Sequence, residues 1–586
     1  MEAESAGNVA QKSERECCTI EALLNAARRS GAVPMPAFSG STDMAFLSAL
    51  FVVVVASLAL IKVFRRFTKA ELENIPGPPA ESFIRGVFPK YFNANGWAYH
   101  RYLWGTYGAV IRLKGMFGEN ALYVHDPKAL HHIFVKDQHI FLQSPTVAAA
   151  YGLFFGPGLL GSAGKRHKKQ RQLLNPAFST GNMRQMTPMI YDVIHKMESS
   201  VMAQLNNGEK EVDMLSWMTR TTLEIIGQCG FGHSFDDLGG KYIDNPFSSN
   251  LGQIVPVSLK LVFLRLYALH HLIKIGSPAF RRLMIAISPF PALREARDIA
   301  DSLHRSALEI FEVKRKALFD GDKETTQQFT QGRDILSILM KLNMEAPEED
   351  KISDEELYGQ IATFTFAGMD TTANALGRAL WALANHPSAQ KRIRAEIRQA
   401  LQEAGGDIPY DTLMALPYLD AICRETLRLY PVAWQMIRKP TEDIMLPLSR
   451  PVKGLDGSDI NEVFVPKGAT VFCGIQGSNM NVETWGPDAH EWKPERWFDL
   501  PKTLTSAEIP GIYSNLLTFS AGNRACIGYK LSQLEMKAIL AVVINRFEFQ
   551  PSQEIFWRMT SIVTPVPAQG NQIHPKLPLM VKLASD

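Results

Sequence analysis

Cysteine is scarce. The 586-residue chain has six, at positions 17, 18, 229, 423, 473 and 526. No two form a CxxC pair and their spacing is no disulfide framework, which reads as a reduced, cytosol-facing body. Charge of one sign is also lacking. A net charge of +3, with 21% charged residues, leaves no footprint for nucleic acid. No period of 20–50 residues recurs, which excludes a solenoid or propeller. Nucleotide loops are missing too. GLLGSAGK (158–165) has Leu159 where a phosphate loop needs its first glycine, and Arg166 where Ser or Thr should follow the lysine. CGFG (229–232) has no third glycine. The chain therefore brings no nucleotide or flavin site of its own. Despite the length, no linker divides it into several domains.

One long apolar run is present. Residues 44–61, MAFLSALFVVVVASLALI, carry no charge and approach the ~20 residues that cross a bilayer. Lys62, Arg65, Arg66 and Lys69 follow. By the positive-inside rule, residues 1–43 form a lumenal tail and 44–64 a single transmembrane anchor. Residues 65–80 are a basic, proline-rich hinge with Pro76-Gly77-Pro78-Pro79, a stiff extended connector. A catalytic domain fills 81–586.

Within it, helical periodicity dominates, as in 212–231 and 292–319, while strand-like runs are short (109–115, 120–126, 469–475). A helix of roughly 32 residues is predicted between Ser353, which opens a capping box with Glu356, and Asn385-His386-Pro387. Such a helix spans about 48 Å. Its middle, Ala367-Gly368-Met369-Asp370-Thr371-Thr372, is rich in poor helix formers and reads either as a kink that admits water or a small ligand, or as a small-residue packing notch with solvent-facing Asp and Thr. Glu425 and Arg428 lie three apart on one helix face, and Arg496 in a Pro- and Trp-rich segment is a candidate third member of a charge network.

Near the C-terminus stands Phe519-Ser-Ala-Gly522-Asn-Arg524-Ala-Cys526-Ile-Gly528, directly before an apolar helical pattern. A cysteine at a helix N-terminus feels unpaired N–H groups and the positive end of the dipole, which favour the thiolate. This stretch resembles the haem-binding signature of the cytochrome P-450 monooxygenases. Ala367–Thr372 resembles that family's oxygen-activating motif. Glu425-x-x-Arg428 and Pro494-Glu-Arg496-Trp look like its structural charge triad. The resemblance covers roughly residues 75–580; the anchor and hinge match microsomal members, and LLNPAFS (173–179) reads like fungal ones.

The resemblance implies a mainly α fold with small β-sheets, in which haem b lies between the long central helix and the cysteine-bearing helix N-terminus. It implies Cys526 as the axial iron ligand, and Phe519, Gly522, Arg524 and Gly528 around the cofactor. Asp370 and Thr371 become the proton-handling pair. His167 takes a position usually held by tryptophan; with Arg171 and Arg438 it completes the propionate contacts. The implied activity is insertion of one oxygen atom from O2 into a lipophilic small molecule, a terpenoid or other secondary metabolite, with a fatty acid or xenobiotic as alternative substrates. The implied partners are a separate NADPH-cytochrome P-450 reductase, docked through basic residues such as Lys530 and Lys537, with cytochrome b5 as an optional second donor. The implied location is the endoplasmic reticulum membrane. A reductase-independent isomerase or dehydratase and a non-catalytic haem sensor are the rival classes. The apolar stretch 259–275 reads as a membrane-dipping lid, and 144–155, 361–371 and 432–437 as substrate walls.

Overall fold

A computed structural model describes residues 72–205, 208–239, 246–319, 334–507, 509–569 and 574–585. The predicted tail, the anchor at 44–64 and the start of the hinge lie outside the described residues. The chain divides at Arg65/Arg66, and everything below concerns the second unit.

The described part of the hinge lies against the domain. Leu72 and Ile75 are buried, and Arg112 N–H donates to the Pro76 carbonyl at 2.9 Å. Arg112 also reaches the Glu73 carboxylate.

The architecture is mainly helical with small sheets. Helix Asp354–Asn385 runs 32 residues, with the bounds the sequence predicts. Ser353 Oγ accepts from Glu356 N–H, and the Glu356 carboxylate accepts from Ser353 N–H. The helix is continuous through Ala367–Thr372, and Thr371 Oγ donates back to the Ala367 carbonyl at 2.6 Å, the bond by which threonine can bend a helix. Against this helix pack Met214–Phe231, Pro291–Phe319 and Tyr529–Arg546. The last is buried on nearly every face, including Glu535 and Lys537.

A five-stranded sheet flanks the helices in the order Val110–Lys114, Asn120–Val124, Thr470–Gly474, Gln435–Pro440, Phe141–Gln143. Its second and third strands are parallel and the other pairings antiparallel. Arg438 stands opposite Val471 on one side and Gln143 on the other. Because strand side chains alternate, Arg438 and Lys439 point to opposite faces.

The stretch 259–275 is not one helix. It breaks into the end of Pro246–Lys260, then Val262–Tyr267 and Leu269–Leu272. The following helix, Pro278–Ile287, buries no residue and exposes Phe280, Leu283, Met284 and Ile287. The outward apolar face thus extends beyond the predicted lid.

Candidate active site

The cysteine loop is held by backbone bonds and one demanding turn. Cys526 N–H donates to the Phe519 carbonyl at 2.9 Å and Ala525 N–H to Gly522 O at 3.0 Å. Gly522 has φ +63°, and a Cβ there would lie 1.9 Å from the Phe134 carbonyl oxygen, so no other residue fits without moving backbone. Ser520 also adopts positive φ, at +60°. Phe519 is buried beside the loop, its ring 5.6 Å from that of Tyr513. Gly528 caps the helix Tyr529–Arg546.

The four described cysteines are free thiols with different surroundings. Cys229, Cys423 and Cys473 are sealed in the core, and burial pushes their thiols up, the latter two to about 12. Cys526 is enclosed by protein yet accessible, so it faces an internal space. Burial raises its thiol as well, while the helix start favours the thiolate as expected. Only the Gly528 N–H, which donates to the sulfur, and the Arg171 guanidinium pull in the other direction.

Arg171 acts on Cys526, and Arg524 in the same loop feels both Arg171 and Arg438. Arg171 Nη1 donates to the Ala525 carbonyl at 2.9 Å. Arg524 Nη2 donates to the Ser162 carbonyl at 2.5 Å. Arg438 stacks over Phe134 at 5.0 Å and donates to the Ile437 carbonyl. Burial, then Arg438 and Arg171, pull Arg524 down to about 10. His167 belongs to the same group: burial, Arg524 and Arg171 hold it down at about 3, so its imidazole is neutral at pH 7. Among the described residues, none of the three arginines forms an ion pair with a carboxylate. Like charges gathered in a buried place are costly unless an anion joins them. A thiol facing an enclosed space beside an unneutralised arginine trio is a donor set that fits an iron macrocycle carrying two carboxylates.

On the central helix, burial raises the Asp370 carboxyl from the usual range to about 7. Three carbonyls around it take side-chain donors. Thr371 Oγ bonds Ala367, Thr222 Oγ bonds Met369 at 3.1 Å, and Asn374 Nδ2 bonds Asp370 at 2.8 Å. The wall segment Pro145–Phe155 lies close, with the Phe155 and Phe366 rings 4.9 Å apart.

The predicted charge triad assembles. Glu425 and Arg428 are fully buried and joined by two bonds of 2.8 Å, and Arg496 Nε reaches Glu425 at 3.3 Å. Sequence reasoning missed Asp488, whose carboxylate takes Arg496 Nη1 at 2.6 Å, and Trp497, whose Nε1 donates to Glu425. It also missed the buried Glu535, which burial raises to about 8. One sequence expectation fails: Lys537 is no docking residue. It is 1% exposed and paired with Asp420 at 2.8 Å, because its helix is buried on all sides. Lys530 is half-buried and donates to Thr180 Oγ.

The sequence profile described as cytochrome P-450 matches residues 76–568. Cytochrome P-450 monooxygenase 91 of Postia placenta is 45% identical over 91% of this chain and 98% of its own length. Ganoderic acid synthetase of Ganoderma lucidum is 40% identical over 91% of this chain and 99% of its own. A cytochrome P-450 monooxygenase of Hericium erinaceus is 33% identical over 93% and 99%. With a profile spanning most of the domain and relatives aligned nearly end to end, this chain belongs to the cytochrome P-450 family and is a monooxygenase with a haem cofactor.

Proposed function

We propose that the chain inserts one oxygen atom of O2 into a lipophilic secondary metabolite, by hydroxylation or epoxidation, with electrons from a separate NADPH-dependent reductase. Substrate, O2, two electrons and two protons give oxygenated product and water. The observation that carries this reading is the accessible Cys526 near one buried and two half-buried guanidinium groups, none of them paired with a carboxylate among the described residues.

Cys526 would hold the haem iron, Arg171, Arg438 and Arg524 would hold its carboxylates, and neutral His167 would add a hydrogen-bond donor. Gly522 makes the loop turn, Phe519 keeps water from the sulfur, and the Gly528 N–H steadies the sulfur's charge. Bound haem supplies the reductive activation of O2. The protein's task is then to exclude water from the apolar walls and to deliver protons. Asp370, held near pKa 7, keeps a transferable proton at neutral pH. The Thr371 hydroxyl, whose hydrogen is given to Ala367 O, retains lone pairs that can fix a water.

The relative named ganoderic acid synthetase makes large oxygenated metabolites the first substrates to test. Residues 44–64 would anchor the chain in the endoplasmic reticulum membrane with the domain on the cytosolic side. The exposed apolar side chains of Pro278–Ile287 support contact with that membrane. Cytochrome b5 is an optional second electron donor. The test is metabolite profiling of microsomes expressing the chain with and without a fungal reductase. New product should require both reductase and NADPH. Product formed equally without them would replace this reading by an isomerase or dehydratase.

A further inference from the structure

The central helix carries a further cation beyond its proton-handling pair. Asp370, Asn374 and Arg378 recur at one-turn intervals, so Arg378 stands on the same face as Asp370, about 12 Å further along. Among the described residues its guanidinium has no carboxylate partner, and Nε and Nη1 are buried without a hydrogen bond. Burial lowers it to about 9, so it stays charged at pH 7. Aromatic faces take the place of an anion. The guanidinium carbon lies 3.6 Å from the centre of the Tyr430 ring, 3.9 Å from that of Trp557 and 4.9 Å from that of Trp381. Such contacts are strongest where water is excluded, and a planar guanidinium stacks on rings as an ammonium does not.

The rings come from different parts of the chain. Trp381 is on the central helix itself. Tyr430 caps helix Pro417–Leu429 and stands just before the wall segment 432–437. Trp557 is on the first strand of the hairpin formed by Ile555–Arg558 and Thr564–Pro567. The turn of that hairpin is bonded to the same wall. Val563 N–H donates to the Val432 carbonyl and Trp434 Nε1 to the Thr560 carbonyl, at 2.9 Å each. From the other side, Trp97 Nε1 donates to the Trp557 carbonyl. Arg378 therefore ties the proton-handling helix to both pieces of chain that hold the wall.

We infer that Arg378 is a positioning residue: clasped by Tyr430 and Trp557, it sets the spacing between the Asp370 face of the central helix and the wall 432–437, and so how a bulky ligand sits against that wall. The inference rests on the monooxygenase reading in taking 432–437 as a substrate wall. Its signature is selective. A shifted wall changes the fit of a large ligand and leaves a small one, which touches only the iron, as it was.

The test titrates full-length haem-loaded protein in neutral detergent with imidazole and, separately, with clotrimazole, following the shift of the ferric Soret band. Both bring an imidazole nitrogen to the iron, but clotrimazole adds aryl rings that must fit the walls. Arg378→Lys keeps the charge and loses the stacking plane. It should weaken clotrimazole about tenfold, the size of one lost wall contact, and leave imidazole within about twofold. Trp557→Leu opens the clasp from the hairpin and should show the same selective loss; it decides by the same ratio should Arg378→Lys load no haem. Tyr430→Phe keeps the ring and should bind both azoles as wild type does. Equal weakening of both azoles in Arg378→Lys or Trp557→Leu overturns the inference, because the clasp would then be a general brace. Unchanged affinity for both overturns it too, because the wall would be indifferent to the clasp. Reductase-dependent product formation by the wild type reports the monooxygenase reading separately: a wild type that binds both azoles and makes no oxygenated product fails that reading and leaves the ratio of azole affinities to judge Arg378.

Discussion

Glu425→Ala removes the centre of a buried network of charges and hydrogen bonds. The Glu425 carboxylate accepts from Arg428 Nε and Nη2 at 2.8 Å each, Arg496 Nε at 3.3 Å, Trp497 Nε1 at 3.1 Å and Lys493 N–H at 3.0 Å. Neither Glu425 nor Arg428 has any side-chain exposure, so water cannot replace the lost acceptor without opening the core. Stranding a buried cation costs about 3–5 kcal/mol. Two orphaned neutral donors add to this, though not additively within one cavity. Arg496 keeps Asp488, and Arg428 keeps the carbonyls of Asn479, Ala489 and Glu491, which limits the loss. Against a total of about 5–15 kcal/mol, most of the stability goes. Glu425→Gln keeps shape and one acceptor but loses charge, and should fall between. Haem content per protein and the half-life of thermal inactivation are the measurements, since a chain of this size is expected to aggregate when unfolded by heat. A Glu425→Ala protein with normal haem content and a half-life within about twofold of wild type would refute the reasoning.

Thr371→Ala should leave haem binding and NADPH consumption in place while the ratio of product to NADPH falls and peroxide rises; an unchanged ratio would remove the hydroxyl from proton delivery. Asp370→Asn should slow turnover at saturating substrate, because the only change is loss of a proton-exchanging group. Asp370 has a second, thermodynamic signature. Its folded-state pKa of about 7 lies above the ordinary 3.8, so the folded protein binds more protons between those values and its stability falls as pH rises from about 4 to 7, then levels. In denaturant unfolding across pH 4.5–8, Asp370→Asn should flatten that fall; parallel curves for variant and wild type would contradict it.

Much of this was legible in the sequence because the signals are local. The capping box at Ser353–Glu356 and the stop at His386-Pro387 set both ends of the central helix by backbone chemistry alone. The Gly522 turn could be read because only glycine meets its conformational demand. What was hidden depends on tertiary contacts. Asp488 precedes Arg496 by eight residues in a loop-rich segment, and no periodicity announces that its carboxylate folds back onto that guanidinium. Lys537 looked like a surface cation because lysine almost always is; its burial follows from a helix covered on every side, which its weak amphipathic pattern only hints at. The outward-facing helix Pro278–Ile287 did carry a period, with Phe280, Leu283, Met284 and Ile287 on one side, but an apolar period alone does not say whether protein or solvent lies beyond it.

The account turns on Cys526 as the iron ligand, and the spectrum of the reduced carbon-monoxide complex tests it most directly. A thiolate opposite the gas shifts the Soret band strongly to the red, and no other described cysteine faces an accessible internal space. Wild-type protein should show that band. Cys526→Ser should lose it, while a Cys423→Ser control, altering a thiol sealed in the core, should keep it. A red-shifted band that persists in Cys526→Ser would contradict the assignment and with it the site described around the arginine trio.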